Sequence, residues 1–562
     1  MSLYKGKRRS GWRKLGRALL YVIGAIMLLL VILVVYVMSV SHIKPPEIAD
    51  KSSLQWQRKP LDSTSYTLGN SWFRKSESGL YELYVEGKPF ERGVVEGKLT
   101  AELVKRQEDH FTDQIKKMIP SQSYLKFLRY FVGFFNRNLA DNIAEENKEE
   151  IYGISFSASD KYDFIGSNYE RILNYHAAHD IGHALQNMAL VACTSFGTWD
   201  GASADSNLII GRNFDFYVGD KFAEEKIVAF YRPEKGYRFM MVTWAGFTGV
   251  ASGMNEKGLT VTINADKSDI PTGSATPVSL VAREILQYAR NIDEAWQIAN
   301  KHKMFVSESF LVGSAEDNRA AIIEKTPEKI DIYDPKNQFI TCTNHFQGDL
   351  LGKEDQNVEQ RDATASGYRF NRLSELLKKK GPNTVQQTVD ILRDRFGMHG
   401  QNIGMGNERA INQFIAHHAV VFEPKKKMVW VSTAPWQLGK FVAYNLDSVF
   451  SMKGLQYNHE IQDTTQTIAA DPFLQTQDYQ SFAAFRKIKT DIMDGKDADV
   501  KQLIRLNPEY YHAYVLAGDY SFKRKQYGTA AAYYNTALTK VIATKAEEEH
   551  IRTQLEKCAE TH

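Results

Sequence analysis

The sequence predicts a layered α+β body between one amino-terminal membrane helix and an α-helical carboxy-terminal tail. Three observations carry this. Residues 18–40 form an almost wholly apolar run, ALLYVIGAIMLLLVILVVYVMSV. From about residue 80 to 433, short β-rich runs are interrupted by blocks of helix, without a regular βαβ alternation. After about residue 470 strand signals stop. With 562 residues there is room for about two to four domains, and 43% hydrophobic with 24% charged residues excludes wholesale disorder.

Taken in order, the apolar run comes first. Its 23 residues would span about 34 Å as a helix, enough for a hydrocarbon core of about 30 Å. A cleaved signal peptide is the alternative, but its apolar region is shorter and ends in a small-x-small site, which is not evident here. Residues 1–17 carry seven positive charges (Lys5, Lys7, Arg8, Arg9, Arg13, Lys14, Arg17) and no acid. The positive-inside rule then places residues 1–17 in the cytoplasm and everything after the span outside it, periplasmic or extracellular. Without that tag, 63 basic residues face 67 acidic ones. The basic charge is thus a terminal tag, which argues against a nucleic-acid-binding face.

Residues 41–69, with Pro45–Pro46, read as a linker. Residues 70–192 form a largely helical part, with a strand at LYELYVEG and amphipathic stretches over 91–119, 124–151 and 169–190. Residues 193–465 hold the β-rich core. Its runs include NLIIGRNFDFY, KIVAFYRP, RFMMVTWAG and GLTVTINA, with Asn255–Gly258 as a turn. Helices follow near 278–300 and 366–395, with strands at 309–315, 319–325, 338–343, 417–423 and 427–433. Residues 466–562 form the tail. Tyr514, Ala517, Gly518, Ala530, Tyr534 and Ala537 have tetratricopeptide-like spacing. A single repeat cannot bury its own apolar face. The reading favoured here is a helical hairpin packed on the body, with recruitment of a protein partner as the alternative.

Three cysteines cannot make a disulfide framework, and none forms a C-x-x-C pair. Cys193 stands where helix gives way to strand, in VACTSFGTWDGASADSNLIIGRNFDFY. A hairpin there would return Arg212 and Asp215 alongside it, and such a pair can stabilise a thiolate and orient an amine. Asn264 and Asn344 end two strands, where an amide or a backbone N–H can serve as an oxyanion donor. A competing constellation is His176, His179 and His183 with Asp180 on one helical face, which could hold zinc. It lacks the His–Glu–x–x–His arrangement of hydrolytic zinc helices. His417 and His418 begin a strand and are expected on opposite faces. Cys342 shares a strand face with Asn344 and reads as core, and Cys558 is uninformative.

The motifs ACTSF, GRNFDF, SGMNEKGLTVTINA and TNHF, in that order over roughly residues 70–450, resemble the cysteine N-terminal-nucleophile (Ntn) hydrolases. The nearest group is penicillin acyltransferase-like, with acid ceramidase and the choloylglycine (bile-salt) hydrolases more distant. The resemblance implies a four-layer αββα sandwich and self-cleavage at Ala192–Cys193. It implies that Cys193 supplies the nucleophilic thiol and, once freed, the basic α-amine. An α-amine titrates near neutrality, so no separate histidine base is required. By the same resemblance Asp215 would hold the amine and Arg212 would support thiolate and substrate. Asn264 and Asn344 would serve the oxyanion. A later Arg would complete the site, with Arg369 preferred and Arg361 the rival.

The expected function is a membrane-anchored amidohydrolase acting on linear N-acyl amides, possibly lipid amides, without cofactor or metal. Transfer to an amine acceptor and ester or phospholipase-type hydrolysis stay open. A non-catalytic, membrane-tethered scaffold is the alternative of another class.

Overall fold

The computed structural model describes residues 8–118, 121–185, 192–267, 273–379, 381–455 and 460–560. The first helix, Arg8–Val40, is the one helix among the described residues long and apolar enough to cross a membrane. Its far end is tied to the body at once. Ser41 Oγ donates to the Tyr130 carbonyl at 3.1 Å, and the buried Ile43 N–H donates to Glu170 at 3.0 Å. His42 Nδ1 lies 2.8 Å from the same carboxylate.

Residues 41–69, expected as a linker, differ from that reading. Strand Lys59–Pro60 pairs with Tyr66–Leu68, which pairs with Ser71–Lys75, so the larger sheet already begins there. Two- and three-residue edge strands carry too little alternation to stand out from polar sequence. The long helical stretches also divide. Pro89–Leu99 and Ala101–Met118 are separate helices, with buried Thr100 capping the first through a 2.8 Å bond from its hydroxyl to the Glu96 carbonyl. Gln122–Phe135 and Glu145–Ser155 likewise form two helices.

Two sheets dominate, one of eleven strands and one of seven. The smaller runs in the order Phe339–Cys342, Thr194–Asp200, Ser206–Phe214, His418–Glu423, Met428–Ser432, Phe441–Asn445 and Asp463–Ile468, all antiparallel. The larger is antiparallel except where Tyr81–Gly87 lies parallel to Ile227–Pro233. Strand periodicity sorts the side chains. Leu208 and Ile210 join Val228, Phe230, Met240, Ile322 and Val420 in one core shared by both sheets. Ile209, between them, packs instead with Leu373, Val389 and Leu392 from the helices Ala365–Lys379 and Val385–Leu392. The opposite face of the larger sheet meets helices Pro89–Leu99, Glu145–Ser155 and Val278–Tyr288 through Val95, Ile151, Ile285 and their neighbours. Cys342 lies in the shared core.

The tail contains helices Gln477–Met493, Val500–Leu506, Tyr511–Lys523, Tyr527–Ala537 and Lys545–Glu560. Gly518 lets two of them close up, because a Cβ there would sit 2.4 Å from the Tyr534 ring. The tail is not free of the body. Phe482 and Phe485 share a core with Phe414, Trp436 and Leu438, and Asn507 exchanges hydrogen bonds with the main chain of Met405 at 3.0 and 2.8 Å. Cys558 is buried within this same core.

Candidate active site

Cys193 directly precedes strand Thr194–Asp200. The neighbouring strand Ser206–Phe214 pairs Ser195 with Arg212, so both side chains share a face, and Cys193 falls on it two residues before Ser195. The predicted hairpin therefore forms. Arg212 Nη2 lies 3.3 Å from the Cys193 sulfur. The same guanidinium crosses to the other sheet, donating to the carbonyls of Ala251 and Ile263 and to Ser252 Oγ. Beyond the strand end the main chains stay paired, with Ala192 N–H donating to the Asp215 carbonyl at 3.0 Å.

Arg369 completes the ring around the cysteine. It donates through Nη1 to the Cys193 carbonyl at 2.7 Å and to Thr194 Oγ1 at 2.8 Å, and through Nη2 to Asn344 Oδ1 at 2.6 Å. Arg361, its rival, pairs with the adjacent Asp362 at 2.8 Å, with its side chain 43% exposed. The two asparagines stitch the sheets together. Asn264 Nδ2 donates to the carbonyls of Thr343 at 2.9 Å and Cys342 at 3.3 Å, while its Oδ1 accepts from Ser195 Oγ at 2.9 Å. Asn344 Nδ2 donates to the Ala265 carbonyl at 2.8 Å, and its backbone N–H donates to Ser366 Oγ at 2.8 Å. Both Asn264 amide hydrogens are thus committed to main-chain carbonyls, and among the described residues Asn344 keeps one.

All of these groups are buried, and burial dominates their electrostatics. It pushes the Cys193 thiol above its ordinary pKa, with Arg212 opposing and Asp215 reinforcing the shift. Burial raises Asp215 to about 7 against the pull of Arg369 and Arg212. Among the described residues neither Asp215 carboxylate oxygen has a hydrogen-bond partner. A buried unpartnered carboxylate beside a thiol requires an explanation.

Residues 202–435 match the family model described as acyl-coenzyme A:6-aminopenicillanic acid acyl-transferase. This segment, less than half of the chain, is similar to the penicillin acyltransferase-like family. The family segment contains Arg212, Asp215, Asn264, Asn344 and Arg369, and Cys193 lies just ahead of it. An uncharacterized protein of Archaeoglobus fulgidus is 24% identical over 275 residues, 45% of this chain and 45% of that protein. Protein dcd1B of Dictyostelium discoideum is 23% identical over 276 residues, 46% of this chain and 52% of that protein. The chain spans about half the length of the curated relatives it matches. Among solved structures, the N-acylethanolamine-hydrolyzing acid amidase ortholog of Caenorhabditis elegans is 18% identical. It covers 42% of this chain and 93% of that one, with a TM-score of 0.31. A variant of the conjugated bile acid hydrolase from Clostridium perfringens is 16% identical, covering 48% and 99%, with a TM-score of 0.32.

The competing histidine constellation is described at His176 and Asp180. His176 is buried with both ring nitrogens engaged. Nδ1 lies 2.8 Å from the Ile172 carbonyl, and Nε2 accepts from Thr248 N–H at 2.9 Å. Asp180 accepts from Val278 N–H at 2.9 Å. The side chains of His179 and His183 lie outside the described residues. His417 and His418, expected on opposite faces, instead meet through their Nδ1 atoms at 2.8 Å. His417 stands just before strand His418–Glu423, where strict alternation does not apply. Sequence reasoning missed Ser252 and the buried acids Asp266 and Glu308, and it named His418 without its link through Ser252 to Arg212. Glu308 is fully buried with both oxygens unpartnered among the described residues, and it faces the charges of Asp266, Asp180 and Arg212.

Proposed function

We propose that this chain is a membrane-anchored, self-processing N-terminal-cysteine hydrolase of linear amides, with an Ntn-type αββα body and a tetratricopeptide-like tail. The observation that carries the reading is the junction at Cys193. Arg212 lies on the thiol, Arg369 on the cysteine carbonyl, and the unpartnered Asp215 carboxylate belongs to the residue whose main chain bonds Ala192.

In the first step the Cys193 thiol attacks the Ala192 carbonyl, the amide nitrogen takes a proton, and a thioester forms. Water hydrolyses the thioester, giving a new carboxylate on Ala192 and a free α-amine on Cys193. That amine, once protonated, is the cation that would partner Asp215. An α-amine near neutral pKa then takes the thiol proton. The thiolate, supported by Arg212, attacks a substrate amide carbonyl. The ammonium protonates the leaving amine, and water releases the acid from the acyl-enzyme. Asn344 retains a free amide hydrogen for the oxyanion. Asn264 serves that role only if it gives up a main-chain carbonyl.

The apolar helix Arg8–Val40 and the ties from residues 41–43 to the body favour a site held near a bilayer, and so N-acyl amphiphiles as substrates. The acyl-transferase description of the family favours transfer to an amine acceptor as the second reading. The test is the fate of the chain. Processing yields pieces of 192 and 370 residues, with Cys193 as a new amino terminus by mass spectrometry. Cys193→Ala should leave one chain without amidase activity. A wild-type chain that stays whole and hydrolyses no amide in a thiol-dependent way overturns the proposal.

A further inference from the structure

Arg212 is held from behind by a hydrogen-bonded chain that runs away from the thiol. Its Nη1 donates to Ser252 Oγ, which lies 2.8 Å from His418 Nε2, and His418 Nδ1 lies 2.8 Å from His417 Nδ1. All four side chains are fully buried. A guanidinium can only donate, so Ser252 accepts there. The Ser252 proton then goes to His418 Nε2, the only other side-chain partner of that hydroxyl among the described residues. His418 consequently carries its proton on Nδ1 and donates to His417 Nδ1, leaving the His417 proton on Nε2. Every bond is directed outward from Arg212.

The geometry points to Ser252 and His418 as positioning residues for Arg212, holding its Nη2 on the Cys193 sulfur through a chain that works only while both imidazoles are neutral. Their surroundings keep them so. The rings are enclosed by Phe214, Phe222 and Trp244. The charged neighbours are Arg212 and the buried Lys226, both cations, and Lys226 donates to the Ala223 carbonyl at 2.8 Å. Burial and these cations push both imidazoles well below their usual pKa. A protonated His418 would donate at both nitrogens and strand the Ser252 proton. It would also set a second positive charge near Arg212.

The inference rests on Arg212 acting as the partner of the thiol in the proposed reaction. Its test is the rate at which iodoacetamide alkylates the Cys193 peptide of the intact full-length protein across about pH 6–9, read by mass spectrometry. Ser252→Ala and His418→Phe remove the acceptor chain, while His418→Gln keeps an amide oxygen for the Ser252 proton. Ser252→Ala and His418→Phe should slow alkylation near neutral pH by about tenfold, a thiol pKa raised by about one, and His418→Gln should stay within about threefold of wild type. In amide hydrolysis the first two should lose kcat with little change in KM. Wild-type alkylation in Ser252→Ala overturns the inference, and that small substitution decides the matter even if His418→Phe does not fold. So does His418→Gln behaving like Phe, which would reduce His418 to packing. A wild-type Cys193 that stays unalkylated throughout the range overturns it too, since Arg212 would then support no thiolate. If Cys193→Ala retained hydrolysis, the proposed reaction would fall separately, while the alkylation series would still report on the chain.

Discussion

Arg369 donates to the main-chain oxygen of Cys193 at 2.7 Å across 176 residues of sequence. The bond ties the helix Ala365–Lys379 to the residue just before the smaller sheet's second strand. Arg369 thereby orients the peptide on the carboxyl side of the proposed nucleophile and leaves the amino side, at Ala192, to Asp215.

Arg369→Ala strands the Cys193 carbonyl and Asn344 Oδ1 in a buried setting. Charge-assisted bonds of this kind are worth about 1.5–3 kcal/mol each, so processing and hydrolysis should fall by roughly a hundredfold or more. Arg369→Lys should not rescue, because an ammonium cannot reproduce a planar fork that serves three acceptors. Arg361→Ala removes an exposed pair worth about 0–1 kcal/mol and should leave both rates within about twofold. Gel analysis of processing and an amide-hydrolysis assay compare the three variants directly. An inactive Arg361→Ala beside an active Arg369→Ala would reverse the assignment.

The site was legible in sequence as far as local pairing reaches. Cys193 and Arg212 stand on adjacent strands of one hairpin, so turn signals and period-two alternation suffice to bring them together. Arg369 could be preferred over Arg361 only by resemblance, because helix packing on a sheet leaves no local mark. The connection of Ser252, His418 and Glu308 to the site was invisible for a stronger reason. Each reaches the site through pairings fixed by the order of the whole sheet, such as His418 with Phe214 or Glu308 with Ala265. The asparagines were found by residue type, but their amides bond main-chain carbonyls, which residue type does not reveal.

The proposed membrane anchor has a direct consequence. A helix from Arg8 to Val40 with a basic leader should keep the full-length protein in the pellet after an alkaline carbonate wash. Protease added from outside should digest the body and spare the leader. A soluble product whose amino terminus lies near residue 41 would show a cleaved signal instead.

The docked tail depends on Gly404. It adopts φ +85°, and a Cβ there would lie 2.4 Å from the Tyr510 backbone. Gly404→Ala meets both obstacles and should cost about 1–3 kcal/mol. The loss should appear as proteolytic clipping within residues 466–562 ahead of the body, with a lowered Tm. An unchanged digestion pattern would mean that the tail does not depend on this contact.

Asp215 should leave a pH signature in the uncleaved chain. In a Cys193→Ala background no α-amine forms, so its carboxyl stays buried and unpartnered, with a pKa of about 7 against an ordinary 3.8. Between those two values the folded protein binds the proton and the unfolded chain has lost it. Stability therefore falls as pH rises through that interval. At about 1.4 kcal/mol per pH unit, the full loss is on the order of 4 kcal/mol by pH 8. Asp215→Asn removes the titration. In the Cys193→Ala background it should therefore raise the midpoint of denaturant unfolding at pH 8 and change it little near pH 4. In the processed enzyme the sign reverses, because the new ammonium at Cys193 pairs with the carboxylate and draws its pKa down. There Asp215→Asn should destabilise at pH 8 and abolish hydrolysis. A midpoint that does not respond to pH in the unprocessed chain would mean that Asp215 finds a partner before cleavage, and the ammonium would lose its assigned place.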